Sequence, residues 1–92
     1  MKREHKPHYK VTKTEECLQN LHELSKNYGR ATELVNAIEW ALARKPHQFN
    51  HLANDFYFWI TDELNIQFPV VKIVYRINEE EHTVIVLTIE EK

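Results

Sequence analysis

The chain has 92 residues, 42% of them apolar and 28% charged, with a net charge of −2. This is enough for one domain that buries about 60–65% of its unfolded surface. It excludes a globally basic nucleic-acid binder, a membrane span of about 20 apolar residues, and a disulfide framework, because Cys17 is the only cysteine.

Residues 1–7 form a basic arm, expected to be flexible, ahead of a single domain covering residues 1–92. Lys2, Arg3, Lys6, Lys10 and Lys13 face only Glu4 in the first thirteen residues, so the rest of the chain is net acidic. No apolar stretch follows to make this a secretory signal, and the cytoplasm is the expected compartment. Tyr9 and Val11 alternate with His8, Lys10 and Thr12, which predicts a short first strand. Thr12 or Thr14 offers a helix N-cap, with Glu15 and Glu16 in the first turn. Leu18, Leu21, Leu24 and Tyr28 then make one helical stripe. Gly29, the only glycine, predicts a left-handed C-cap.

A second helix is predicted over Ala31–Lys45, with Leu34, Val35, Ile38, Ala41 and Leu42 inward and Pro46 as its stop. His47–Asn54 reads as a polar connection and Phe56–Thr61 as a strand rich in aromatic and β-branched residues. A loop over Asp62–Phe68 precedes Pro69. The strands Val70–Ile77 and Thr83–Glu90 flank a charged turn at Asn78–His82. The expected class is α+β, in the order β-α-α-β-β-β. A helical hairpin packs on one face of a mainly antiparallel four-stranded sheet.

Few groups carry chemistry. Lys72 and Arg76 are four apart on a period-two strand and share a face, where they can stabilise phosphate charge or meet an acidic partner. His82, in the turn, is the nearest acid–base candidate to them. In FYFWIT, Phe56 and Phe58 point one way and Tyr57 and Trp59 the other. One pair belongs to the core, and we assign Tyr57 and Trp59 with Lys72 and Arg76 to partner binding. His47, His51 and Asp55 have metal-ligand spacing only if that segment is helical, and no metal is expected. One glycine precludes a glycine-rich phosphate loop, Cys17 reads as structural, and no cofactor is expected.

The run PVVKIVYRI over Pro69–Ile77, its acidic turn and TVIVLTIEE, together with IEWALARKP at Ile38–Pro46, resembles the RelE/ParE superfamily of type II toxin–antitoxin toxins. The resemblance implies a short strand, a helical hairpin and a three-stranded meander, with a cognate antitoxin as partner. Its ribonuclease branch implies a basic groove on mRNA. Lys72 stands where that branch often has an arginine, and Lys92 near a later basic position. Phe56–Thr61 carries no lysine or arginine, and Glu90 and Glu91 put negative charge at the groove. No C-terminal tyrosine or histidine follows. The expectation is therefore a toxin-type protein that binds protein, with a gyrase-like or ribosomal target. The alternatives are a ribosome-dependent mRNA endonuclease using Lys72, Arg76 and His82, which alone brings RNA in, and a non-toxic interaction module on the same fold.

Overall fold

The computed structural model describes residues 8–62 and 68–92. The basic arm and most of the loop before Pro69 lie outside these residues. The elements are β1 (Lys10–Lys13), α1 (Glu15–Asn27), α2 (Ala31–Arg44), a 3-10 turn (Pro46–Gln48), β2 (Asn50–Ala53), β3 (Phe56–Ile60), β4 (Val71–Asn78) and β5 (Thr83–Glu91). Among the described residues no helix is long and apolar enough to cross a membrane.

The sheet has five strands rather than four, in the order β1-β5-β4-β3-β2. β1 runs parallel to β5 and the remaining pairs are antiparallel. The additional strand, β2, falls inside the predicted polar connection. Its four residues NHLA are all exposed, so it has no buried face to leave an alternating pattern. Pairing of Asn50 with Phe58 and His51 with Tyr57 creates it. The hairpin closes through Asn54 at φ 53, a left-handed conformation that asparagine tolerates.

Thr14 is the N-cap of α1 and accepts from the Cys17 amide at 3.1 Å, an interaction usually worth about 1 kcal/mol. Its hydroxyl donates to the Leu87 carbonyl at 2.9 Å. Leu87 is the extra residue where the β4–β5 register shifts, so one threonine both starts the helix and occupies a carbonyl at the bulge. The left-handed glycine cap is not found. α1 ends through Tyr28 in extended backbone, and Gly29 has no positive φ. The buried stripe of α1 is also rotated: Cys17 is 0% exposed, whereas Leu18 is 49% exposed. Burial pushes the Cys17 thiol up to about 11, which suits an inert core cysteine.

Leu34, Ile38 and Leu42 of α2 are buried against Val71, Ile73, Tyr75 and Ile77 of β4 and Val84, Val86 and Ile89 of β5. β4 alternates strictly between buried and half-buried residues, so its even-numbered side chains point away from the helices. The Tyr75 hydroxyl, buried in this core, donates to the Pro46 carbonyl. That bond holds the end of α2 over the sheet. An ion pair between Lys13 and Glu39 ties β1 to α2.

Candidate functional site

The face of the sheet turned away from the helices carries Lys72, Val74 and Arg76 of β4. By register, Phe56 lies opposite Arg76, Phe58 opposite Val74 and Ile60 opposite Lys72. On the other side Ile85 lies opposite Arg76, Thr88 opposite Val74 and Glu90 opposite Lys72. Phe56, Phe58, Ile60, Val74 and Ile85 are half-buried and form an apolar strip among these polar groups.

Both cations on this face are already engaged. Arg76 Nε donates to Asp55 Oδ2 at 2.9 Å. Lys72 Nζ lies 5.2 Å from the centroid of the Phe58 ring. Four residues along a strand separate their Cα atoms by about 13 Å, too far for both to grip one phosphate at short range. The shared face expected from the spacing is present; a two-cation clamp is not.

The aromatic pair on this face differs from the one assigned above. Tyr57 pairs with Tyr75 and Trp59 with Ile73, both 0% exposed, so Tyr57 and Trp59 turn toward the helices. Phe56 and Phe58 share the face of Lys72 and Arg76. Strand alternation separates the two pairs, but only the register against β4 says which is inward.

His82 lies in a different cluster, at the helix-side end of the β4–β5 turn. The His82 ring stacks on Tyr9 at 3.8 Å between centroids. Tyr9 donates to Glu79 Oε1 at 2.9 Å, and His47 Nε2 lies 2.5 Å from Glu79 Oε2. The backbone sets this up. Tyr9 N donates to the Ala43 carbonyl, Lys10 N to the His82 carbonyl and His82 N to the Glu79 carbonyl. His82 itself has φ 53. The donated Tyr9 bond and the His47 contact hold the Glu79 carboxyl below its ordinary 4.5. Burial, then Glu79, pushes Tyr9 up to about 12. Among the described residues, the groups that act on Glu79 are Tyr9, His47 and His82, none of them a lysine or arginine.

The histidine spacing does not make a metal centre. His47 meets Glu79, His51 meets the Asn54 carbonyl and Asp55 meets Arg76. The segment is a 3-10 turn followed by a strand, so the helical spacing of four never forms. The Tyr9–His47–Glu79–His82 cluster went unseen in the sequence because Tyr9 and Glu79 are 70 residues apart. It also depends on β1 pairing in parallel with β5.

Its pH dependence has a definite sign. A lowered carboxyl favours the fold above its unfolded value near 4.5 and loses that contribution as pH falls through its folded value. Replacing Glu79 by alanine is expected to cost under about 1 kcal/mol at pH 7, since the pair is exposed. The difference from wild type should close in urea titrations taken below pH 4.5. A gap that stays constant down to strong acid would contradict this.

A groove of about 610 Å³ opens between α2 and the inward face of β3. Ala37 and Ala41, one turn apart, form its floor, and Trp40, Gln48, Phe49 and Trp59 its walls. Phe49 and Trp59 stack at 4.1 Å, 15° from parallel. Trp40 is 62% exposed, with the Arg44 guanidinium 4.1 Å from its ring centroid. Composition alone does not show this groove, because it exists only where two small α2 residues meet β3.

No protein-family model matches the chain, and no curated protein does. Solved structures do. The toxin–antitoxin complex RelBE2 from Mycobacterium tuberculosis matches with a TM-score of 0.72 at 19% identity, covering 98% of each chain. The intact E. coli RelBE toxin–antitoxin complex matches at 0.65 and 17% identity, over 91% of this chain and 96% of that one. A metal-bound toxin from Helicobacter pylori matches at 0.57 and 19% identity, over 90% and 93%. At these identities the likeness concerns the fold, and the chain has the fold of RelE-type toxins.

Proposed function

We propose that this chain is the toxin-type component of a bacterial, cytoplasmic toxin–antitoxin pair and acts by binding protein rather than by catalysis. The observation that carries this reading is the character of the open sheet face. Five half-buried apolar side chains lie there beside two cations already held by Asp55 and Phe58. Such a strip gains by burying a partner's apolar side chains, while its two cations, about 13 Å apart along the strand, do not clamp one phosphate. An antitoxin segment that orders on binding suits an elongated surface of this kind. Its acidic groups would meet Lys72 and the remaining donors of Arg76. Structural likeness to the toxin–antitoxin complexes supports the toxin-type part of this assignment. A gyrase-like or ribosomal protein is the class of target that requires no catalytic residue.

One observation favours a second reading, the ribosome-dependent mRNA endonuclease. Tyr9, His47, Glu79 and His82 place acid–base groups together. Among the described residues, no lysine or arginine acts on Glu79 to supply a cation for phosphate charge. Arg76 does not supply it, since it lies on the opposite face, paired with Asp55.

Primer extension on mRNA after induced expression separates the two. The expected result is a growth defect without new cleavage sites. Cleavage that disappears in His82→Ala or in Lys72→Ala/Arg76→Ala would establish the endonuclease instead. Expression with no growth defect would leave an interaction module on a toxin fold. Co-expression with the product of the adjacent open reading frame should restore growth and yield a stable complex.

A further inference from the structure

We propose that the α2–β3 groove is a binding site for a free mononucleotide, with the base held between its aromatic walls and the phosphate at the Arg44–Lys45 end. The proposal is independent of the toxin reading and concerns the face of the molecule opposite the partner strip.

Size comes first. About 610 Å³ is within the range of pockets that hold a single small ligand. The walls come next. Trp40 is largely exposed, and Trp59 is backed by Phe49, so its position is supported before any ligand arrives. Flat aromatic faces of this kind bind nucleobases by stacking, whichever base is present.

Polar groups then choose between occupants. Asn36 and Gln48 line the same groove, and among the described residues no hydrogen bond engages either side-chain amide. A partner's apolar side chain would desolvate both amides without pairing them, which costs binding energy. A base edge presents donors and acceptors that asparagine and glutamine match.

Charge sets the direction. Arg44 and Lys45 border a continuation of the groove that also includes Trp40 and Gln48. Arg44 donates Nη1 to the Trp40 carbonyl and keeps its other donors. The last carbonyls of α2 point the wrong way for an anion, so among the described residues phosphate binding here rests on these two side chains. Asp62 borders the opposite end, beside Gln48, Phe49, Asn50 and Trp59. A strand of nucleic acid running through would bring a phosphate toward that carboxylate. One phosphate at one end is the arrangement the charges accept, which favours a mononucleotide over a polymer.

The test uses the protein's own fluorescence, because the chain's two tryptophans are Trp40 and Trp59. AMP and GMP are titrated, with adenosine and a short single-stranded RNA as comparisons. The expected result is saturable quenching by a mononucleotide. Adenosine, lacking phosphate, should bind about tenfold more weakly, and Arg44→Gln/Lys45→Gln should weaken AMP to the level of adenosine. Ala37→Leu fills the floor while keeping both tryptophans and the helix, and should weaken AMP about tenfold or more with an unchanged melting curve. Three outcomes overturn the proposal: no saturation by about 10 mM nucleotide, undiminished binding in Ala37→Leu, or RNA binding tighter than the mononucleotide.

Discussion

On the proposed reading, Phe58→Thr is expected to weaken capture of an antitoxin by about 30-fold or more while leaving the fold intact. Phe58 sits mid-strand on the open face, opposite Val74, with Lys72 over its ring. A central aromatic in an interface commonly accounts for 2 kcal/mol or more, roughly 30-fold in affinity. Threonine keeps a β-branched strand former at the position, so β3 retains its pairing while the apolar strip loses one of its two phenylalanines. Lys72 loses the ring beneath it, which lowers the strip's ability to hold that cation in place. Calorimetric titration of the purified pair reads the affinity, and thermal melting of the free protein reads the fold. An unchanged affinity would move the interface off this face. The helix-side residue Tyr57 is the matching control. Tyr57→Phe keeps the stack on Tyr75 and should leave antitoxin affinity within about twofold, because the residue faces away from the strip.

Leu34→Ala should carry a large stability effect, as expected for a fully buried core side chain. Leu34 is 0% exposed at the centre of the α2 face. Truncation leaves a cavity between α2 and the sheet, a change that costs about 2–5 kcal/mol. A domain of this length has roughly 5–14 kcal/mol in total, so the variant gives up a large share. Leu18→Ala provides the contrast. Leu18 belongs to the leucine stripe read from the sequence, yet it is 49% exposed, and its loss should cost under about 1 kcal/mol. Urea denaturation should show a marked fall in midpoint for Leu34→Ala with little change in slope, and almost none for Leu18→Ala. Equal losses at the two positions would mean that Leu18 is in the core.

The difference between those two leucines shows where sequence reading stops. A stripe spaced at three and four residues marks a helix and roughly one side of it. The helix turns by 100° per residue, so a shift of one position makes Cys17 rather than Leu18 the buried end. Only the sheet beneath α1 decides that shift. FYFWIT behaves in the same way at a period of two: the alternation separates Tyr57 and Trp59 from Phe56 and Phe58, and a register choice made by β4 decides which pair is inward.

β2 was missed, and the left-handed glycine cap expected but not formed, for other reasons. β2 has no buried side chains, so no hydrophobic signal exists in NHLA. Its strand character comes entirely from backbone pairing with β3. Gly29 carries the usual residue for a left-handed helix end, yet the chain turns through an extended Tyr28, and nothing lies within 4 Å of where a Cβ would sit. Permission for a conformation is not a requirement for it.

By itself, the sequence determined the α+β class, the helical hairpin stopped by Pro46, the late meander and the shared face of Lys72 and Arg76. These follow from local periodicity, capping and breakers, which act within a few residues. Only the tertiary structure decided that Arg76 is occupied by Asp55. It also decided that His82 joins Tyr9, His47 and Glu79 rather than the cations, and that both tryptophans face one groove beside α2. Each of these joins residues about twenty to seventy positions apart. Contacts at that separation depend on strand order and register, which the packing of the whole core selects and no short window of sequence contains.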